Sequence, residues 1–257
     1  MFLARYAGPT GPAFGFVKDD LVYALEGDPF DPSAMARGQV VGALDEVALL
    51  APCTPTKIVA VGRNYAKHAA ELGNEVPSEP LLFFKPPSAV IGPGAPIVLP
   101  PQSERVDHEV ELCLVIGRRC RNASPDDAWR YVLGVTCGND VTARDIQRRD
   151  DQWARAKGFD TSAPLGPWIV TGLSADDVSD LAIASFVNGV QRQSSRTSFM
   201  VFTPPVLVSY ISQMITLEPG DVVMTGTPAG IGPLGAGDVV EVTIEGIGTL
   251  ANPVVAA

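Results

Sequence analysis

Hydrophobic residues along the chain come mostly in short runs that are separated by glycine, proline and polar residues. Short runs of this kind, bounded by turn-forming residues, predict β-strands. They lie at residues 2–6, 13–17, 21–25, 57–61, 81–84, 106–116, 131–137, 168–171, 181–187, 221–225 and 238–244. Helical spacing is found at residues 65–72, 125–131, 141–148 and 205–214. Many short strands with few helices predict a β-rich α+β fold, built as a mixed β-roll or sandwich.

The first 52 residues form a small β element in this pattern. Lys18-Asp19-Asp20 joins two of its predicted strands as a hairpin turn, and loops with glycine and proline follow before an apolar stretch at residues 40–50. The run Pro52-Cys53-Thr54-Pro55 then interrupts the pattern. We therefore divide the chain into an N-terminal element, residues 1–52, and a main domain, residues 53–257.

The segment from Val106 to Leu112 places three acidic side chains in an apolar run. Successive side chains of a strand point to opposite faces, so Asp107, Glu109 and Glu111 share one face. Like charges on one face destabilise a sheet. Either a divalent cation offsets the repulsion or the face is solvated, and this segment alone leaves both interpretations open.

Composition excludes several classes of partner. The chain has a formal net charge of −10 and a pI near 4.6, which argues against nucleic acid and anionic membrane surfaces. An anionic small substrate stays compatible, because a bound metal and local cations dominate the field inside a site. The four cysteines form no C-x-x-C pair, and there is neither a membrane-length apolar run nor a signal peptide pattern. We expect a cytoplasmic protein.

Oxygen ligands dominate the candidate metal site. Glu109, Glu111 and Asp140 offer carboxylates, and no nearby histidine or thiolate pair accompanies them. This donor set favours Mg²⁺ or Mn²⁺ over zinc, and Ca²⁺ also fits it. We interpret Asp107 as a turn or edge residue, and His108, on the opposite face, as a core or surface residue.

Two further groups of residues suggest chemistry. His68 and Glu71 lie three residues apart on one face of a short predicted helix, where a carboxylate can support an imidazole that takes a proton from water. Arg144, Gln147 and Lys157 follow Asp140 and can hold substrate oxygens. The alternative is that both groups are ordinary surface helix residues.

The glycine-rich loop at residues 225–233 matches neither a phosphate-binding loop nor a dinucleotide-binding turn. It lacks the lysine of a phosphate-binding loop, and it is not followed by the helix that both of those motifs require. A loop of this composition closes a hairpin or clamps a ligand, and the sequence leaves both roles open.

These motifs together resemble the fumarylacetoacetate hydrolase family, in uninterrupted order over roughly residues 57 to 250. The matching blocks are VGRNYAKHAAE at 61–71, DHEVEL at 107–112, DVTARDIQ at 140–147, AKGFD at 156–160, VNG at 187–189 and GDVVMTGTPAG at 220–230. The chain is similar to the short bacterial type, which lacks the long N-terminal domain of the fumarylacetoacetate enzyme itself.

The resemblance implies a mixed β-roll catalytic domain at residues 53–257, a homodimer, and Mg²⁺ or Mn²⁺ bound by Glu109, Glu111 and Asp140. It also implies that His68 and Glu71 form a dyad in a lid that activates water. By the same likeness, Lys157, Arg144, Gln147 and Thr227 contact a small anionic oxo acid, and Lys157 is counted with His68 and Glu71 as a catalytic residue.

The leading hypothesis is a metal-dependent enzyme that hydrolyses a C–C bond of an acylpyruvate-type 2-oxo acid. The close alternatives are a 2-hydroxyhepta-2,4-diene-1,7-dioate isomerase or an oxaloacetate-type decarboxylase in aromatic catabolism. A second alternative, from another class, is a non-catalytic protein that binds an oxo acid. The motifs contain the residues that all of these reactions use, so they do not show which reaction the protein catalyses.

Overall fold

The computed structural model of the chain describes residues 1–31 and 35–257, and these residues form three β-sheets. The prediction of a β-rich fold with mixed sheets and few helices is confirmed. The predicted loop between residues 25 and 40 contains residues 32–34, which lie outside the described residues.

The strands are named in chain order. They are β1 (Phe2–Gly8), β2 (Gly11–Lys18), β3 (Leu21–Glu26), β4 (Ala36–Ala43), β5 (Leu49–Leu50), β6 (Ile58–Gly62), β7 (Leu81–Lys85), β8 (Val90–Ile91), β9 (Ile97–Leu99), β10 (Val106–His108), β11 (Val110–Ile116), β12 (Val132–Asn139), β13 (Thr142–Ala143), β14 (Ala163–Thr171), β15 (Ala182–Val187), β16 (Val190–Arg196), β17 (Val222–Met224), β18 (Gly232–Pro233), β19 (Val239–Ile244) and β20 (Gly248–Ala256).

Helices connect these strands and are short. The α-helices are α1 (Ala66–Glu71), α2 (Pro125–Ala128), α3 (Arg144–Arg149), α4 (Ala154–Lys157) and α5 (Pro204–Met214), and 3₁₀ turns occupy Pro87–Ala89, Trp129–Tyr131 and Thr197–Phe199. Within the described part of the chain, no helix is long and apolar enough to cross a membrane.

The largest sheet has 12 strands, ten of which follow the order β4-β3-β2-β1-β14-β12-β11-β17-β6-β7. β5 pairs with β1, and β8 pairs with β14. A second sheet has the order β16-β15-β19-β20-β9, and a third, small sheet has the order β13-β10-β18. β17 is parallel to β6 and antiparallel to β11, so the large sheet is mixed.

Strand β11 lies inside the large sheet and is buried on both faces. Leu112 and Leu114 pack with Ile183 and Val242 of the five-stranded sheet. Cys113, on the opposite face, belongs to the cluster that lines the other side of the large sheet. Because both faces are covered, the strand is apolar almost throughout, and its one charged residue, Glu111, stands out.

The N-terminal strands continue the large sheet. β1 pairs with β14, with Phe2 opposite Val170. The predicted hairpin turn is confirmed, because β2 ends at Lys18 and β3 begins at Leu21, with Asp19 and Asp20 at φ angles of 52° and 58°. Two consecutive residues with positive φ are typical of the tight turn whose twist matches that of its two strands.

Two predicted elements beside the acidic residues of the candidate site have different bounds in the structure. The strand predicted at 106–116 is interrupted at Glu109, and β10 and β11 enter different sheets. The helix predicted from residue 141 begins only at Arg144, because Thr142–Ala143 pairs with β10 as β13. Both differences lie at or near an acidic residue of the candidate site. The predicted strand is interrupted at Glu109, and Asp140 lies between β12 and β13.

Asp221 joins the segment just before β6 to the segment just before β17. This buried carboxylate accepts hydrogen bonds from the backbone N–H of Thr56 at 3.0 Å, of Lys57 at 3.1 Å and of Glu218 at 2.8 Å. The Thr56 hydroxyl donates a further hydrogen bond at 2.7 Å, and the Lys57 ammonium forms an ion pair with it. These contacts fix the register between β6 and β17.

We expect Asp221→Asn to lower the free energy of unfolding by about 2 kcal/mol, because the amide cannot accept all of these hydrogen bonds and leaves Lys57 unpaired. The measurement is chemical denaturation followed by circular dichroism. Asp177→Asn is the matched control, because Asp177 is exposed and its carboxylate accepts hydrogen bonds from one neighbouring residue, Ser174, and it should change stability by less than about 0.5 kcal/mol. Equal unfolding midpoints for the two variants would contradict the anchoring role of Asp221.

Candidate active site

A pocket of about 250 Å³ is lined by residues from β11, α1, α3, α4 and the glycine-rich loop. It brings together eight of the nine site residues predicted from the sequence. These are His68, Glu109, Glu111, Asp140, Arg144, Gln147, Lys157 and Thr227. The ninth, Glu71, lies outside the lining but contacts His68.

Three buried carboxylates form the centre of this pocket. Glu109 follows β10, Glu111 is the second residue of β11, and Asp140 follows β12. β11 and β12 are antiparallel neighbours, and the Asp140 N–H donates to the Glu109 carbonyl at 2.9 Å, which brings the three residues together. One carboxylate oxygen from each lies within 4.8 Å of the others.

Two buried lysines and one buried arginine offset part of this negative charge. The Lys157 ammonium donates to Glu109 at 2.8 Å and to Asp140 at 2.5 Å, and so bridges two of the carboxylates. Lys85 donates to the other oxygen of Asp140 at 2.6 Å. Although burial alone raises the pKa of Glu109, Lys157 and Arg144 outweigh it and bring that pKa below its ordinary value.

Glu111 is the carboxylate of the three without an ion pair among the described residues. It accepts a hydrogen bond from the Gly226 N–H at 2.7 Å. Burial, together with the charges of Asp140 and Glu109, raises the pKa of Glu111 well above its ordinary value. A divalent cation among these oxygens would remove that imbalance, and the all-oxygen donor set fits Mg²⁺, Mn²⁺ or Ca²⁺.

Arg144 is buried, with 1% of its surface exposed, so the surface-helix alternative is wrong for this residue. Its Nε donates to Asp107 at 2.9 Å, one terminal nitrogen pairs with Glu109, and the other donates to Gln147 at 2.5 Å. The interpretation of Asp107 as a turn or edge residue is therefore wrong as well. Asp107 is fully buried, and its charge is balanced there by Arg144 and by Arg105, whose Nε donates to it at 2.9 Å.

The predicted pair on α1 is in contact. His68 Nδ1 lies 3.1 Å from a carboxylate oxygen of Glu71, and His68 is 5% exposed. The other oxygen of Glu71 accepts a hydrogen bond from the Gly230 N–H at 3.0 Å. Because Nδ1 faces Glu71, Nε2 is the nitrogen that remains for proton transfer. The carboxylate is thus oriented by the glycine-rich loop and in turn orients the imidazole.

Sequence reasoning missed three residues that shape this site. Lys85 ends an apolar strand and is fully buried, and its only sequence signal was the scarcity of lysine in the chain. Asn64 donates to the Thr225 carbonyl at 2.7 Å and so holds the glycine-rich loop. Gln193, on β16, is buried and bonds to Thr227 at 2.7 Å, and no local pattern indicated it. His108, interpreted as lying away from the metal, is buried beside Gln193.

Comparison with known families decides the classification. Residues 57–255 match the family model described as "Fumarylacetoacetate (FAA) hydrolase C-terminal". The chain belongs to the fumarylacetoacetate hydrolase family. The resemblance drawn from the sequence motifs is confirmed. Residues 1–52 match a second family model, described as "Rv2993c-like, N-terminal".

Members of the fumarylacetoacetate hydrolase family that are similar to this chain carry out different reactions. The crystal structure of 2-hydroxyhepta-2,4-diene-1,7-dioate isomerase from Mycobacterium marinum has a TM-score of 0.91 at 43% identity, covering 100% of this chain and 98% of that one. Oxaloacetate tautomerase FAHD2A, mitochondrial, from Bos taurus is 47% identical and is matched over 82% of this chain and 70% of its own length. Fumarylpyruvate hydrolase from Pseudomonas aeruginosa, crystallised with Mn²⁺ and pyruvate, has a TM-score of 0.74 at 34% identity, over 78% of this chain and 90% of that one.

These relatives are enzymes, and one of them was crystallised with Mn²⁺. The chain is a member of an enzyme family whose reactions include hydrolysis, isomerisation and tautomerisation. Its cluster of three acidic residues can hold a divalent metal.

We expect Glu111→Gln to separate metal binding from folding. The amide keeps an acceptor for the Gly226 N–H but removes one of three crowded negative charges. The metal-free variant should gain about 1 kcal/mol of stability, because burial of an unpaired charge no longer opposes folding. Its affinity for Mn²⁺, measured by isothermal titration calorimetry, should fall at least about 100-fold, because a direct ligand is lost.

The matched control for this variant is Glu46→Gln, an exposed glutamate outside the pocket. It should leave both the unfolding midpoint and the Mn²⁺ affinity unchanged. An unaltered Mn²⁺ affinity in Glu111→Gln would contradict the assignment of the three carboxylates as metal ligands.

Proposed function

We propose that this protein is a divalent-metal-dependent enzyme that hydrolyses a C–C bond of an acylpyruvate-type 2-oxo acid. One observation carries the proposal: the His68–Glu71 pair and the carboxylates of Glu109, Glu111 and Asp140 serve a single pocket. A water-activating pair supports hydrolysis, whereas proton shifts on the same substrate do not require an added water.

We infer that Glu109, Glu111 and Asp140 hold Mg²⁺ or Mn²⁺, with Ca²⁺ compatible with the same oxygens. When bound, such an ion would polarise the carboxylate and oxo oxygens of a 2-oxo acid as a Lewis acid. The Mn²⁺ and pyruvate of the related fumarylpyruvate hydrolase support this assignment.

The proposed steps follow from the chain's own residues. His68 takes a proton from water at Nε2, and Glu71 stabilises the imidazolium that forms. The water oxygen bonds to the distal carbonyl carbon, and the bond from that carbon to the neighbouring CH₂ group of the pyruvate part breaks. The electron pair of that bond stays with the CH₂ group as the pyruvate enolate, which takes the proton back from His68 and becomes the CH₃ group of pyruvate. The products are a carboxylic acid and pyruvate, which together contain the atoms of the acylpyruvate and one water.

Charge in the pocket supports an anionic substrate. The four buried carboxylates, including Asp107, exceed the buried cations Lys85, Lys157 and Arg144 by one. A bound divalent ion therefore makes the local net charge positive. Arg63 and Arg148 also line the pocket and add positive charge for a substrate with a second, distal carboxylate.

A second candidate is isomerisation, tautomerisation or decarboxylation of a related acid in aromatic catabolism. The isomerase and tautomerase relatives, at 43% and 47% identity, favour it over the more distant hydrolase relative, at 34%. Those reactions use the same metal and anion contacts without the added water. A non-catalytic oxo-acid-binding protein is the third candidate, and turnover of any oxo acid would exclude it.

Two further proposals concern the setting of the reaction. We propose that the protein works in the cytoplasm, which is the expectation from its cysteine pattern and apolar runs, and that it forms a homodimer, as the family resemblance implies. Multi-angle light scattering of the purified protein would test the dimer directly.

We expect His68→Ala to lower kcat/KM for acetylpyruvate, assayed with Mg²⁺, by about 100-fold or more, because general base catalysis contributes that much. Lys67→Ala, an exposed neighbour on the same helix, is the control and should keep wild-type turnover. Equal hydrolysis by wild type and His68→Ala would exclude the water-activating role. If wild type converts the enol of oxaloacetate but hydrolyses no acylpyruvate, the second candidate replaces the first.

We expect Arg148→Gln to raise KM about fivefold for fumarylpyruvate, which has a distal carboxylate, but not for acetylpyruvate, which has a methyl group there. Arg149→Gln is the matched control, because Arg149 is the next residue of α3, is exposed and does not line the pocket. A rise in KM for both substrates would contradict a specific role at the distal end.

A further inference from the structure

The glycine-rich loop contacts three parts of the proposed catalytic machinery within five residues. The Gly226 N–H donates to Glu111 at 2.7 Å, Thr227 lines the pocket, and the Gly230 N–H donates to Glu71 at 3.0 Å. The position of this one loop therefore affects a metal ligand, a substrate contact and the water-activating pair together.

The loop approaches its neighbours closely at both ends. Gly226 has a φ of +98°, and a Cβ atom there would lie 2.7 Å from Asn64 Cβ. Gly230 has a φ of +102°, and a Cβ atom there would lie 2.3 Å from the Arg192 carbonyl oxygen on β16. Glycine is required at both positions, and the second contact places the loop directly against the backbone beside Gln193.

Gln193 is a buried amide that connects this loop to the sheets behind it. Its Oε1 accepts from the Val110 N–H at 3.0 Å, from the Ser185 hydroxyl at 3.0 Å and from His108 Nδ1 at 3.2 Å. Its Nε2 donates to Thr227 Oγ1 at 2.7 Å and to the Pro228 carbonyl at 2.7 Å. All the hydrogen-bonding positions of the amide are in use.

These partners fix the orientation of the amide. The Val110 N–H can only donate, and the Pro228 carbonyl can only accept, so Oε1 faces β11 and Nε2 faces the loop. Thr227 Oγ1 must then accept from Gln193, and its own hydrogen is left for another acceptor. Within residues 1–31 and 35–257, the hydrogen bond found at this hydroxyl is the one that it accepts from Gln193.

We propose that Gln193 is a positioning residue that holds the glycine-rich loop and fixes the Thr227 hydroxyl as a hydrogen-bond donor to the carboxylate of the substrate. The inference rests on the proposed function, because it identifies the group in the pocket that Thr227 recognises. Gln193 itself does not line the pocket, so it acts on the substrate through Thr227, whose place it also fixes by its hydrogen bond to the next residue, at the Pro228 carbonyl.

The test is a double-mutant cycle of Gln193→Glu and Thr227→Val, with pyruvate titrated into the Mn²⁺-loaded protein by calorimetry. Gln193→Glu keeps an acceptor for Val110, Ser185 and His108 but removes both donors to the loop. Each single variant should weaken pyruvate binding about tenfold, as for one lost hydrogen bond to a charged group. Thr227→Ser, which keeps the hydroxyl, should bind pyruvate within about twofold of wild type.

In the Thr227→Val background, Gln193→Glu should weaken pyruvate binding by less than about twofold, because the hydroxyl that it orients is already absent. A full tenfold effect in that background would overturn the proposal. If Gln193→Glu does not fold, Gln193→Met, of similar volume, replaces it under the same criteria. Ser185→Ala is the control, because it removes a partner of Gln193 on the side away from the loop and should leave pyruvate affinity unchanged.

Amide hydrogen exchange tests the positioning role of Gln193 independently of the proposed function. In the wild type, the Gly226 and Gly230 amides are hydrogen-bonded, and Gln193→Glu should raise their exchange rates at least about tenfold. Unchanged exchange would overturn the positioning role, whether or not the protein turns over any oxo acid. Faster exchange together with a failure to turn over any oxo acid would instead reject the proposed function.

Discussion

Mutual repulsion among Glu109, Glu111 and Asp140 is the constraint that shapes the surrounding structure. Three carboxylates in one buried volume oppose folding unless opposite charges lie close by. Lys157 bridges two of them, Lys85 pairs with Asp140, and Arg144 pairs with Glu109. Each of these cations comes from a different element, so the compensation requires that β7, α3 and α4 meet at the ends of β11 and β12.

The compensation of negative charge is incomplete at one of the three carboxylates, and this deficit of positive charge determines which ions suit the cluster. Glu111 has a backbone N–H as its partner instead of a cation. A fourth protein cation at that place would make a stable ion-pair network with no affinity for a metal. A site that is short of positive charge and provides only oxygen donors is instead suited to a hard divalent ion.

The sequence predicted the acidic members of this site better than the residues that support them. Glu109 and Glu111 stand out because acidic residues interrupt an apolar run, and the family motifs add Asp140, Lys157 and the residues of α1 and α3. The supporting contacts connect distant parts of the chain. Lys85 and Asp140 are 55 residues apart, and Gln193 and Val110 are 83 apart.

Local periodicity contains no information about such pairs, which explains the error for Asp107. A carboxylate beside an exposed arginine has the same local pattern whether it ends a strand at the surface or neutralises a buried Arg144. The interruption of the strand at Glu109 was missed for a similar reason. The change of direction depends on β13 and β18, which pair with β10 from far along the chain.

The placement of the His68–Glu71 pair on α1, a helix of only six residues, has a consequence for the evolution of the family. The carboxylates are built into or directly beside central strands, whereas the pair lies on a connecting helix, and its Glu71 contacts the glycine-rich loop through the Gly230 amide. Under the proposed function, substitutions in α1 would therefore alter the fate of the bound acid and leave the residues proposed to hold the ion unchanged. On that proposal, changes confined to this one short helix would be enough to move between the reactions named for the relatives, which are hydrolysis, isomerisation and tautomerisation.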